Sequence, residues 1–118
     1  MKKYVIGSLL FSLTTMAIAQ NQLTKRIEQF SNKQVSVWKT IVYPTKNHSL
    51  SMHRHEHDRV LVALTNGLLK ITNDRGKIHY LHLKKDKAYF LRKDIANEMH
   101  NDENMSNYPV KVMVIELN

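Results

Sequence analysis

From Val35 to the C terminus the chain is a succession of short apolar runs cut by turn residues, and that rhythm restricts the fold more than any other feature. VSVWKTIVY (35–43) is β-branched and aromatic and stops at Pro44. LSMHRHEH (50–57) alternates, and RVLVAL (59–64) is a compact apolar run. Asn66-Gly67 predicts a hairpin before LLKITN (68–73), because that dipeptide tolerates positive φ. Asp74-Arg75-Gly76 predicts a second turn before KIHYLHL (77–83). KKDK (84–87) turns the chain into AYFL (88–91), and VKVMVIEL (110–117) ends it. About seven or eight short strands with turn signals every ten or so residues predict an antiparallel sandwich or barrel.

The N-terminal third is organised differently. Residues 1–19, MKKYVIGSLLFSLTTMAIA, have a basic start, a short apolar core and Ala17-Ile18-Ala19 before the expected cut. That is the pattern of a secretory signal peptide, so the expected location is periplasmic or secreted, with no stable membrane insertion after cleavage. In residues 20–34, Leu23, Ile27 and Phe30 recur at helical spacing and Thr24 can cap a first turn, so a short helix or an ordered arm is expected there. The β-domain is then 35–118. The chain has no cysteine, which excludes disulfides and thiolate metal sites. Its formal charge is +8, but the bases are scattered apart from KKDK. That distribution argues against a nucleic-acid partner and fits a small anionic molecule. The long apolar strand 110–117 suggests a homodimer formed through strand edges.

His53, His55 and His57 fall at every second position, followed in phase by Arg59. In a strand, i and i+2 share a face about 6.6 Å apart, so two such imidazoles can converge on one ion. A third ligand must then come from elsewhere, and His100 in NEMHNDEN is the best candidate. His48, His79 and His82 read as ordinary surface or core histidines. Met52, Met99 and Met113 read as core fillers.

The stretch MHRHEHDRVLVALTNG resembles the first conserved motif of the cupins, G-x5-H-x-H with a following Glu and a closing Gly. His53 and His55 match its H-x-H and Gly67 its last glycine. The later segment is similar to the second cupin motif, G-x5-P-x-G-x2-H-x3-N. His100 and Asn104 match the H-x3-N, while Asp86, Arg92 and Asp94 stand where the motif has Gly, Pro and Gly. Three additional residues precede the histidine. The resemblance implies an all-β fold, a small antiparallel double-stranded β-helix (a jelly roll). It also implies a divalent metal, Fe, Mn, Ni or Zn, on His53, His55 and His100. The motif's glutamate is missing, since positions 59 and 60 are Arg and Val.

Three arrangements therefore remain open. The three histidines alone can hold the metal, with Arg59 pairing to a substrate carboxylate. His57 can join as a further ligand or a substrate contact. Or Arg59 can mark an anion pocket without metal, because a guanidinium 4 Å from a divalent ion is repelled by about 4 kcal/mol per unit charge pair at an effective dielectric of about 20. Two classes of function follow: a metal-dependent enzyme of dioxygenase or isomerase type on a small anionic substrate, or a non-enzymatic module binding a small anion or metal.

Overall fold

The computed structural model describes residues 24–44 and 52–118. They form eight strands: β1 (Thr24–Ser31), β2 (Val35–Val42), β3 (Arg59–Ala63), β4 (Gly67–Asn73), β5 (Ile78–Leu83), β6 (Ala88–Leu91), β7 (His100–Asn104) and β8 (Val110–Leu117). Five make one sheet in the order β1-β2-β8-β3-β6, and three make a second in the order β5-β4-β7. Every named strand pair is antiparallel.

Period-two alternation decides which side chains face inward. On β8, Val110, Val112 and Val114 are buried while Lys111 is exposed. Their register partners on β2 are Val42, Thr40 and Trp38, and on β3 Val112 and Val114 face Ala63 and Leu61. Leu69 and Leu83 close the core from the smaller sheet. Arg59 lies on the same inner face as Leu61 and Ala63, opposite Glu116 of β8.

Sequence and structure differ in five places. Residues 24–31 are a strand, not a helix: the register of β1 on β2 shifts between Glu28 and Phe30, so Ile27 faces Lys39 and Phe30 faces Val37. That bulge puts residues three apart on one face, a spacing that otherwise imitates a helical one. Leu23 and the signal-like segment lie outside the described residues. The turn at Asn66-Gly67 is not a hairpin, because β3 and β4 belong to different sheets. β8 lies in the middle of its sheet, paired on both sides, so it offers no edge for self-association. Finally, the residues from 52 to 58 form no regular strand; His53 alone among them makes an isolated bridge, to His100. Met52 and Met99 are both 37% exposed and are not core fillers.

Two small groups join the sheets. The buried Asn104 side chain donates to the carbonyls of Val42 (2.8 Å) and Tyr108 (2.7 Å), tying β7 to the end of β2. It does this beside a parallel bridge between Pro44 and Asn104. Gly67 packs so closely on the fully buried Val110 that an added Cβ would lie 2.5 Å from Val110 Cγ2 and 3.0 Å from Cγ1. Glycine is required here by close approach; only Gly76, with φ 83°, uses positive φ among the described glycines. A Gly67→Ala variant should therefore lose about 1–3 kcal/mol of stability by overpacking, measurable by urea denaturation. An unchanged midpoint would show that Val110 moves aside freely.

Candidate metal centre

β7 carries the signal that the motif comparison passes over. In HNDEN, His100, Asp102 and Asn104 alternate, so all three point to one face of the strand. Their register partners Asn73, Ile71 and Leu69 put that face toward the interior. Asp102 is thereby delivered beside His100 by strand geometry alone.

His53 and His55 arrive by a different route. His53 and His100 exchange two backbone hydrogen bonds, each 2.8 Å, which lays the segment before β3 against β7. His55 is held by Asp94: its N–H donates to Asp94 Oδ2 at 2.6 Å, and the Asp94 N–H donates to the His55 carbonyl at 2.9 Å. The three rings end with centroids 4.6 to 5.2 Å apart. One ligand atom each from His53, His55, His100 and Asp102 lies within 4.8 Å of the others. His57 is exposed and lies outside both this cluster and the cavity lining.

The cluster sits at the polar end of a cavity of about 500 Å³ between the two sheets. Arg59, Arg92 and Asp94 line the same cavity, and Trp38, Leu61, Leu69 and Val114 contribute to its largely apolar remainder, which Thr24, Arg26 and Thr40 also line. His79, which the sequence gives no reason to single out, also lies on the wall, because its partner Ile71 faces inward.

The electrostatics suit a cation site. Burial, then the field of Arg59, pushes His55 down from 6.5 to about 4, so its ring is neutral at pH 7. His100 is also lowered, chiefly by burial. His53 goes the other way, raised mainly by the Asp102 carboxylate 3.2 Å from its Nε2. Burial works against ionisation of Asp102, but His53 and the other imidazoles outweigh it and hold the carboxyl below its ordinary range. Asp94 Oδ2 lies 3.2 Å from His100 Nδ1, which favours the proton on that nitrogen and leaves the Nε2 lone pair free.

Three neutral-capable imidazoles and one carboxylate are a sound donor set for a divalent first-row ion. Ligands about 2.1 Å from one ion lie about 3.0 to 4.2 Å apart, so a pair separated by 4.8 Å must close by about 0.6 to 1.8 Å. The cluster can hold a metal. Arg59 does not occupy it: its Nη1 donates to the Arg92 carbonyl at 3.2 Å. Burial lowers the Arg59 pKa, opposed by the fields of Asp94, Asp102, Glu116 and Asp58.

No family model matches the sequence, and no curated protein matches it either. Solved structures do. A cupin domain from Bordetella pertussis Tohama I superposes with a TM-score of 0.67 at 24% identity, over 80% of this chain and 93% of that one. A sugar phosphate isomerase of the cupin superfamily from Silicibacter pomeroyi gives 0.55 at 16% identity, over 85% and 62%. Fe(II)-HppE with an alternative substrate gives 0.60 at 11% identity, over 79% of this chain and 49% of that one.

Two predictions come from this geometry. Asp94→Ala should weaken metal affinity by about 10–100-fold, as loss of a ligand-orienting carboxylate generally does, read by competition with a chromogenic chelator. The fold should persist, since the Asp94 main-chain bond to His55 does not need the side chain. The second concerns pH. His55 and His100 titrate below 6.5 in the native state, so between 6.5 and about 4 the unfolded chain binds protons that the native chain refuses. Metal-free protein should thus lose stability as pH falls through that window. His53 contributes with the opposite sign: its stabilisation is full below 6.5 and fades as pH rises through its raised pKa. Thermal melts of the apo protein across pH 4 to 8 check this, with His55→Asn flattening the acid limb.

Proposed function

We propose that this chain, whose fold is that of the cupins, is an exported metal-dependent enzyme acting on a small anionic substrate. The observation that carries the reading is the convergence of His53, His55, His100 and Asp102 at the polar end of a cavity between the sheets. Fe(II), Mn(II), Ni(II) or Zn(II) suits the donors. When bound, the ion supplies a Lewis acid that polarises a substrate oxygen. The chain's own residues do the rest. Asp94 fixes the orientation of His55 and His100. Arg59, which has five N–H donors in all, spends one on the Arg92 carbonyl and keeps others for a substrate carboxylate. The apolar wall excludes water from the reacting end.

Oxygenase-type or isomerase-type chemistry is the reaction class that fits. Structures of similar fold include an Fe(II) protein solved with a substrate and a sugar phosphate isomerase. An ion that prefers six ligands keeps two positions open beside four protein donors, as catalysis needs. The same four donors would close a tetrahedral zinc site, and that favours a second reading, a non-catalytic module that binds metal or a small anion. Segment 1–19 supports export to the periplasm or beyond, with cleavage leaving no membrane anchor. A homodimer remains part of the proposal, with β1 and β6 as the edges of the larger sheet and β5 and β7 as those of the smaller.

Elemental analysis of protein purified without a His tag tests the reading. We expect about one equivalent of transition metal per chain, and a drop of about tenfold or more in His100→Ala, which removes a ligand. Wild-type protein holding less than about a tenth of an equivalent, with no uptake on reconstitution, would overturn it.

A further inference from the structure

The cavity has two chemically distinct ends, and their contrast specifies more than a small anion. We infer that the ligand is an amphipathic monocarboxylate, its head at the metal and Arg59, its alkyl or aryl tail against the apolar wall. The inference rests on the proposed metal site for the head and on the cavity alone for the tail.

The tail follows from the lining. Trp38, Val42, Leu61, Leu69, Leu81 and Val114 make most of the remaining lining apolar, with Arg26, Thr24, Thr40 and His79 as its polar members. They come from both sheets, so an inserted chain would be enclosed rather than laid on a surface. A volume of about 500 Å³ lies within the range of small-molecule sites, and far exceeds what a bare inorganic anion or a two-carbon acid fills.

The head follows from charge. Around Arg59 the chain places two guanidiniums, Arg59 and Arg92, and four carboxylates, Asp94, Asp102, Glu116 and Asp58. These groups leave a surplus of negative charge that a divalent ion offsets. With the ion in place a monocarboxylate adds one negative charge to the site, and a dianionic phosphate adds two. The head should accordingly bind well only to the metal-loaded protein, whereas the apolar wall is the same with or without metal.

Trp38 makes both halves measurable, because it is the single tryptophan and it lines the cavity. The probes are straight-chain alcohols on metal-free protein and straight-chain carboxylates on zinc-loaded protein, from four to ten carbons, followed by Trp38 fluorescence. Alcohol affinity should rise about fourfold per methylene until the wall is covered, then level off. Leu81→Phe, which fills part of the cavity from β5, should bring the plateau at a shorter chain. Carboxylates should bind zinc-loaded protein at least tenfold more tightly than metal-free protein, and octyl phosphate should not exceed octanoate. Affinity independent of chain length, or Trp38 emission unmoved by any probe, would overturn the tail. Octanoate binding equally with and without zinc, or weaker than octyl phosphate, would overturn the head. If the protein takes up no zinc, the metal reading fails, and the alcohol series still decides the tail.

Discussion

Two backbone hydrogen bonds between His53 and His100 hold the site together. Apart from Arg92 and Asp94, the polar end is local to one segment or the other. Asp102 and Asn104 follow His100 along β7, and His55 and Arg59 follow His53 toward β3. The bridge fixes where those two segments meet, and so determines that the imidazoles meet at all. Backbone bonds serve this purpose well. They do not depend on which metal or proton the side chains carry, so the rings are brought together before any ion supplies attraction. Net worth per hydrogen bond is only about 0.5–1.5 kcal/mol, but the pair is reciprocal and a slip of one residue would turn the rings away.

Asp94 is the complement of that bridge. It replaces a residue that the cupin motif gives as glycine, and glycine there could supply no carboxylate. Its single side chain reaches both the His55 amide and the His100 ring. One acidic group thus orients a ligand from each segment. The field of the same carboxylate also favours the Arg59 cation, whose side-chain hydrogen bond goes to the Arg92 carbonyl. A guanidinium close to a cation site is tolerable here because the fields of Asp94, Asp102, Glu116 and Asp58 offset it.

Much of this was legible in the sequence. Strands β2, β4, β5, β6 and β8 follow directly from alternation and turn residues. His53, His55 and His100 stand out by spacing and by resemblance, and the structure brings them to one point. Other parts were hidden for identifiable reasons. The bulge in β1 disguised a strand as a helix. The segment before β3 alternates without being a strand, so in-phase spacing wrongly grouped His57 with its neighbours. Gly67 was noticed for a turn, yet its requirement is contact with Val110, a long-range fact no local pattern contains. Asp102 could have been found. Once His100 and Asn104 are placed on an inward strand face, the residue midway between them must share it.

Asp102 also bears on Arg59. Arg59 occupies the inner face at the start of β3. The carboxylate of the cluster stands on β7, two residues from His100. The four converging groups thus include one negative oxygen, while β3 presents a guanidinium to the same cavity. Negative charge is concentrated among the imidazoles, and positive charge faces the cavity. The field of Asp102 favours the Arg59 cation, so the two charges support one another.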